Sequence, residues 1–521
     1  MKLTGSILQP CDAGVMNSVR AAAPCSARSA PFVLAATILG SSLAFIDSTV
    51  VNVALPALQA DLNATVVDLQ WIIEAYALLL AALLLAGGSL GDIYGRKRIF
   101  TTGVVVFAVA SAFCGLAADV HQLIAARALQ GIGAALLVPG SLAIISASFS
   151  KHDRGRAIGT WSAFTSITSA AGPVLGGWLI GHASWHWVFF INLPLAAVVV
   201  VLTWRHVPES RNSESGQTPD WAGAVLATAG LGGIVFALIE SSNRGWHDPV
   251  VIAAFLMGTL ALIAFTVVER RRQMPLLPLF LFRERNFTGA NLLTLFLYSA
   301  LSATLFFFPL NLIEVQGYTA TDAAAALLPL IGLMFLLSRW TGGLINRFGA
   351  RRLLIFGPIV AAIGLVLFAL PSIGGSYWTT YLPAVLVLGL GMAITVAPLT
   401  TTVMNSVGEE RAGIASGINN AVSRLAAVLS IALLSIVMLG TFNRHLTERM
   451  ADLNVTPETR QSIDAQRTKL AAMRVSEDVR PAVDRSFVTG FRWIIFISSG
   501  LALAAATTAW LVIQDERLEG Q

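Results

Sequence analysis

Apolar residues run along this chain in long unbroken blocks. They follow neither the one-faced period of a soluble helix nor the alternation of a half-buried strand. About fourteen such blocks can be drawn, at 31–56, 70–91, 99–117, 122–146, 157–180, 187–204, 221–240, 249–268, 287–312, 323–344, 353–371, 381–404, 413–438 and 489–513. Each is close to the ~20 residues that a helix needs to cross a ~30 Å hydrocarbon core. Continuous blocks of this length predict membrane helices, because a membrane strand is shorter and alternates. The fold class expected is therefore an all-α polytopic membrane protein with fourteen transmembrane helices.

Composition narrows the reading. Of 521 residues, 55% are hydrophobic and 12% charged, about half the charged share of a soluble chain. Mean hydropathy is +0.73. Too little polar surface remains to cover such a chain in water, which excludes a secreted domain, a disordered chain and a soluble enzyme. The net charge of +5 is no sign of nucleic acid, since the basic residues sit in short runs between apolar blocks. Cys11, Cys25 and Cys114 make neither a disulfide framework nor a metal spacing. The tail 1–30 lacks the apolar run of a cleaved signal peptide and is expected to be disordered.

Basic residues also set the expected orientation. With the N-terminus inside, the inner segments hold 21 of the 34 Lys and Arg residues and the short outer loops hold one, Arg244. Arg127, Arg339, Arg424 and Arg492 lie in or at the ends of helices, and eight more lie in the outer segment 440–488 beside seven acids. Both termini are expected in the cytoplasm. Leu446, Met450 and Leu453, then Ile463, Leu470 and Met473, predict short amphipathic helices in 440–488.

The chain repeats itself. Gly88-Ser-Leu-Gly-Asp-Ile-Tyr-Gly-Arg-Lys97 recurs 254 residues later as Gly342-Gly-Leu-Ile-Asn-Arg-Phe-Gly-Ala-Arg351, each after the second helix of a set of six. Two extra helices, near 221–240 and 249–268, lie between the sets and preserve sidedness. The divisions expected are a tail 1–30, a six-helix bundle 31–204, a linker 205–286 with the extra pair, a second bundle 287–513 and a tail 514–521.

Enzyme signatures fail in context. Gly87-Gly-Ser-Leu-Gly91 fits G-x-S-x-G, but it ends a membrane helix where that motif needs a strand-turn-helix elbow. No phosphate loop of the G-x-x-x-x-G-K-[ST] type is present. His182 and His186 are flanked by Trp185 and Trp187 with no acid or cysteine beside them, which reads as an interfacial belt. No enzyme activity, cofactor or metal is expected.

The strongest chemical signal is three ionisable residues inside helices: Asp47, Glu74 and Arg127. Each charge costs at least a few kcal/mol to bury, so such residues face a cavity or a partner. Counting 1.5 Å per residue places all three in the outer half of the first bundle. A structural ion pair or snorkelling is the plain reading; proton or substrate binding is the sharper one. A carboxyl that takes either a proton or an organic cation, but not both, supplies the minimal chemistry of antiport. Gly172 and Gly176 form a small-residue face, and Pro173 and Gly177 beside them suit either close packing or a bend. Asp92, at the end of the second helix, can pair with Arg96.

With Asp47-Ser-Thr-Val-Val-Asn-Val-Ala-Leu-Pro56, Arg127 with Gln130, Gly131 and Gly133, Gly159 through Gly177, and Trp185-His-Trp-Val-Phe-Phe-Ile-Asn-Leu-Pro194 added to the loop repeat, the chain resembles the major facilitator superfamily. The resemblance, over 31–513, is to its fourteen-helix drug–proton antiporter family. It implies a major facilitator fold of two six-helix bundles rocking about a central cavity, with two extra central helices. It also implies proton-coupled export of amphipathic, cationic drugs or dyes across a bacterial cytoplasmic membrane, or else of an endogenous amphiphile such as a lipid, siderophore or secondary metabolite. Asp47, Glu74 and Arg127 carry over as proton and substrate residues, with protons as the coupling ion and no cofactor. Asp92, Gly95 and Arg96 carry over as a cytoplasmic gate latch, and Gly172, Pro173, Gly176 and Gly177 as the antiporter motif. Thr168 stands where that motif has a glycine, Asn346 and Ala350 depart from the charged latch in the second copy, and 323–340 has no membrane acid. Partners expected are small amphipathic substrates and the lipid bilayer, with no nucleic acid. The chain is expected as a monomer unless an accessory envelope protein joins it.

Overall fold

The computed structural model describes residues 29–149, 151–211, 220–272, 275, 277–407, 412–451, 453 and 456–514. Residues 1–28 of the tail expected to be disordered lie outside them. The chain forms long helices throughout: α1 (Ala30–Asp61), α2 (Val66–Tyr94), α3 (Arg96–Gly115), α4 (Val120–Ser148), α5 (Lys151–His182), α6 (Asn192–His206, after the turn His186–Phe190), α7 (Trp221–Arg244), α8 (Pro249–Arg271), α9 (Arg285–Leu310), α10 (Leu328–Phe348, after Ala320–Ala325), α11 (Ala350–Ala369), α12 (Leu382–Asn405), α13 (Ala412–Ala451) and α14 (Arg480–Val512). Every expected apolar block falls on one of them within a few residues. Among the described residues thirteen spans are long and apolar enough to cross a membrane, and the block 157–180 lies within α5. The chain is a multi-pass membrane protein.

Helix starts follow local chemistry. Thr65 accepts from the Asp68 amide while Asp68 accepts from the Thr65 amide at 2.8 Å, a reciprocal cap on α2. Asp119 caps α4 through the Gln122 amide at 2.9 Å, and Asp248 caps α8 ahead of Pro249.

Helices α1 to α6 pack mainly on one another, and so do α9 to α14; the pair α7–α8 rests against α2 and α13. Gly233 of α7 and Gly258 of α8 bring those two backbones together. Phe255, Leu256, Met257, Leu260 and Ile263 are exposed along α8, as suits a surface wetted by lipid. Two faces are defined by the loops. One, the cap face, carries 62–65, 116–119 and 456–479. The opposite loop face carries 92–98 and 349–351. Exposed tryptophans mark both levels, with Trp187, Trp246 and Trp378 near the cap face and Trp204, Trp221 and Trp510 near the loop face.

Two seams join the helix sets. At one, α2 and α13 run antiparallel, with Leu85 against Gly417 and Ala421 against the apolar cluster that holds Tyr76 and Leu80. At the other, near the cap face, Gly177 of α5 lies against the backbone of Ala320 and Thr321.

The segment after α13 departs from the sequence reading. Helix α13 runs on to Ala451, and α14 begins at Arg480, well ahead of its apolar block. These polar extensions stay helical because Leu446 and Met450 on one and Val483 and Phe487 on the other bury together. Between them, Pro457–Asp464 and the 3-10 turn Arg467–Ala472 are the separate short elements. That turn reaches over the tips of α1 and α2. Gln59 Nε2 donates to the Lys469 carbonyl at 3.2 Å, and Lys469 Nζ donates to Asn63 Oδ1 at 2.5 Å. Leu470 is buried there with φ +52°. Arg480 ties the same turn back, donating to the Ala471 carbonyl at 2.9 Å and to the Glu314 carbonyl.

Candidate functional site

Two of the three intramembrane ionisable residues pair with each other. Asp47 on α1 and Arg127 on α4 meet at 2.5 Å (Oδ2 to Nη1), with side chains 0% and 1% exposed. Their depths agree with simple counting: Asp47 is ~26 Å along α1 and Arg127 ~10 Å below the start of α4, which puts both toward the cap face. The pair is not left bare. Arg127 Nη1 also donates to Gln130 Oε1 at 2.7 Å, and its Nε donates to the Ile72 carbonyl on α2 at 3.0 Å. The guanidinium lies 4.3 Å from the centre of the Tyr76 ring. Asp47 Oδ1 accepts from Gln130 Nε2 at 2.8 Å and from Asn192 Nδ2 at 3.4 Å. Asn192 and Gln130 also donate to Ser111 Oγ, at 2.9 and 3.3 Å, and Ser111 donates to the Phe189 carbonyl.

A network drawn from α1, α2, α3, α4 and α6 thus encloses a single carboxylate–guanidinium pair. Losing either charge leaves the other buried, which costs about 3–5 kcal/mol. Ser111 and Asn192 were not singled out by the sequence, although Asn192 lies inside the 185–194 motif. A polar side chain in the middle of an apolar block was their only signal.

Glu74 stands apart. Its side chain is 0% exposed, yet neither carboxyl oxygen has a hydrogen-bond partner among the described residues; the same holds for both polar atoms of Gln70, one turn nearer the cap face. Arg127 touches Ile72 and Tyr76, and Glu74 lies about 200° around α2 from Ile72. Glu74 instead shares a face with Trp71, which donates to Glu240 of α7 at 3.0 Å, and with Leu78, which lies against Gly232 of α7.

The loop motif builds a second cluster. Asp92 Oδ1 accepts from Arg96 Nε at 2.9 Å and from Nη2 at 2.8 Å. Arg96 also reaches the Ala143 carbonyl of α4 at 3.4 Å. Glu209, beyond α6, accepts from the Lys97 amide at 3.0 Å and lies 3.8 Å from Arg98. All these contacts stay within the first six helices and the strand of chain after them. Gly95 joins α2 to α3 with φ +112°, and Gly349 in the second copy has φ +79°. The repeat is therefore one of backbone shape; the side chain of Asn346, where the charge pattern departs, lies outside the described residues. A Cβ on Gly95 would collide with the Glu209 carboxylate. Gly95→Ala is expected to cost about 1–3 kcal/mol, read as a lower melting temperature of the purified protein, while Gly88→Ala, which has open contacts, leaves it nearly unchanged.

The helix-five motif is a packing face in this structure. Gly172 lies against Ile46 and Thr49 of α1, Gly176 against Val50, and Gly177 against the cap-face seam; Pro173 is buried within α5. Thr168, in the glycine position, accepts from Ser42 Oγ at 3.1 Å, so a hydroxyl contact to α1 replaces backbone approach. His182 and His186 stack on Trp178 and Trp185, at 5.0 and 3.7 Å between ring centres.

Known proteins place this arrangement. The family model described as Major Facilitator Superfamily matches residues 37–431. The chain is 34% identical over 424 residues to the multidrug resistance protein Stp of Mycobacterium tuberculosis (strain CDC 1551 / Oshkosh), covering 80% of this chain and 78% of that one. It is 31% identical to the tetracenomycin C resistance and export protein of Streptomyces glaucescens, covering 91% and 90%, and 33% identical to a puromycin resistance protein of Streptomyces alboniger, covering 92% and 90%. Among solved structures, a bacterial homolog of the human lysosomal transporter Spinster, inward-facing and occupied, superposes with a TM-score of 0.64 at 18% identity over 94% of this chain and 97% of that one. A D-xylose-proton symporter gives 0.59 at 15% identity over 93% and 98%. These two show the fold alone. The chain belongs to the Major Facilitator Superfamily and is a transporter, not an enzyme.

Proposed function

We propose that this transporter is a proton-coupled antiporter of the bacterial cytoplasmic membrane that exports amphipathic, chiefly cationic drugs or dyes by alternating access. One observation carries the reading: a carboxylate–guanidinium pair, sealed from water and tied to five helices, in a chain whose relatives are named for drug resistance. The cap face is the outer face and the loop face the cytoplasmic one, following the basic residues. The divisions 31–204, 205–286 and 287–513 act as moving bundle, linker and moving bundle.

A proton arriving at Asp47 discharges it and removes the charge that holds Arg127. The hydrogen bonds that join α1, α4 and α6 through Asp47 then re-form around a neutral carboxyl, which shifts the balance between the two openings. Glu74 acts with them: ionised, it needs a positive charge that an organic cation can supply; protonated, it needs none. Asp92, Gly95 and Arg96 serve as the cytoplasmic latch, and Gly172, Pro173, Gly176 and Gly177 as the rigid face on which α5 moves. The protein works as a monomer in the bilayer without a cofactor.

Reconstituted protein should move ethidium outward only when a proton gradient is imposed, with ethidium-driven proton flux read by an internal pH dye. Ethidium movement that ignores the gradient would remove proton coupling. Glu74→Gln is expected to lower ethidium export about tenfold, as a buried charge–charge contact is lost, while a neutral substrate is less affected. Equal loss for both would make Glu74 structural. A second reading, export of an endogenous amphiphile, is favoured by the relatives named for tetracenomycin C export and as a probable actinorhodin transporter.

A further inference from the structure

Arg424 has no role in anything described so far. It lies ~18 Å along α13, within a span apolar enough to cross the membrane. It is half-buried, and among the described residues it makes no ion pair and no hydrogen bond. Arg127 by contrast has Asp47, Gln130 and a backbone carbonyl; Arg492 on α14 donates to the Pro371 carbonyl at 3.1 Å. Arginine keeps its charge in any environment and offers five donors in one plane. An intramembrane arginine without a partner is costly, and its usual justification is a ligand or a pathway.

Its location narrows the choice. The α2–α13 seam runs in register: Leu85 meets Gly417, Ala421 packs on the cluster of Tyr76 and Leu80, and Arg424 comes next, about one turn further along α13 toward the level of Tyr76. Tyr76 is in turn the ring under Arg127. Arg424 therefore sits where the second helix set faces the proton-pair network of the first. The nearest acids are already committed or turned away. Asp47 is held by Arg127, and Glu74 lies on the α7 side of α2.

We infer that Arg424 is a cargo-contacting, specificity-determining residue that docks an anionic or acceptor-rich edge of the transported amphiphile, a carboxylate or phenolate above all. The inference rests on the transport reading above and widens it. Arg424 on α13 adds a positive contact to the route, so acidic and zwitterionic amphiphiles are cargo beside organic cations. A guanidinium pairs with a carboxylate through two parallel bonds, which an amide isostere cannot reproduce.

The test uses full-length protein, purified and reconstituted, with three probes: dansyl-alanine, its neutral analogue dansyl-alaninamide, and ethidium. Wild type should bind dansyl-alanine about tenfold more tightly than the amide, the size of one charge-assisted hydrogen-bond pair, and should export it. Arg424→Gln should abolish that preference while ethidium export persists. Arg424→Lys should keep part of the preference, having the charge without the fork. If wild type exports ethidium but shows no preference for the carboxylate, this inference fails and the transport reading stands. If wild type moves none of the probes, both fail. If the glutamine variant folds and keeps the preference, Arg424 is not the contact. If it does not fold, the lysine variant and the wild-type comparison of acid with amide still decide.

Discussion

Asp47→Asn should abolish substrate-driven proton release and reduce efflux by at least a hundredfold, the strongest loss at any single position in this chain. Three donors converge on that carboxylate, from Arg127, Gln130 and Asn192. An asparagine keeps the shape but turns one acceptor into a donor and takes away the charge. Arg127 is then left 1% exposed without a counter-charge, a cost of about 3–5 kcal/mol. Lower stability alone could explain a dead transporter, so the informative variant is Asp47→Asn combined with Arg127→Gln. Removing both charges should restore much of the melting temperature while proton release stays absent. Full coupling in the single variant would return the pair to a purely structural role.

Locking the turn at Lys469 to the α1–α2 tip should stop transport altogether. Cysteines introduced at Asn63 and Lys469 would replace a 2.5 Å hydrogen bond, and a short reducible bifunctional thiol reagent can then bridge them. Efflux should fall to background after bridging and recover after reduction. The reason is that the turn is anchored by Arg480 to the second helix set while it grips the first. With the cap face outside, as proposed above, outward release requires those two sets to part on that face. The native Cys114 is buried, and Cys11 and Cys25 of the tail are replaced by serine so that they do not compete. Loosening should act in the other direction: Leu470→Asp places a charge in a buried apolar site and is expected to raise basal leak. Undiminished efflux after complete bridging would mean that the cap face opens without moving this turn.

Much of this architecture was legible because membrane helices obey a simple length rule. Fourteen apolar blocks could be counted, and the doubled loop motif marked the ends of two equivalent helices; that Gly95 and Gly349 both take positive φ came from the structure. Asp47 and Arg127 were legible as a pair because depth along a helix follows from counting. Azimuth does not. Glu74 shares their level, yet a 200° turn around α2 faces it toward α7. The pattern of Leu446 and Met450 marked an amphipathic helix, but that it continues α13 without a break, and that α14 starts well before 489, was hidden by the polar sequence, since two helices that bury each other need no lipid-like run. Glu209 and the reach of Lys469 to Asn63 span 112 and 406 residues, and no local pattern encodes such contacts.

The resting place of α7 and α8 has a bearing on where membrane-dissolved compounds come from. Helix α7 lies against both α2 and α13, and α8 shields it from the lipid, so one flank of the crevice between the two helix sets is walled off along the bilayer plane. The opposite flank, between α5 and α10, carries no such helix pair among the described residues; there the Ala320–Ala325 turn packs on α5, with Gly177 against Ala320 and Thr321. A hydrophobic compound diffusing sideways within the leaflet is therefore expected to reach the crevice from the α5–α10 side, and bulky lipids held there should slow it more than the same lipids beside α8.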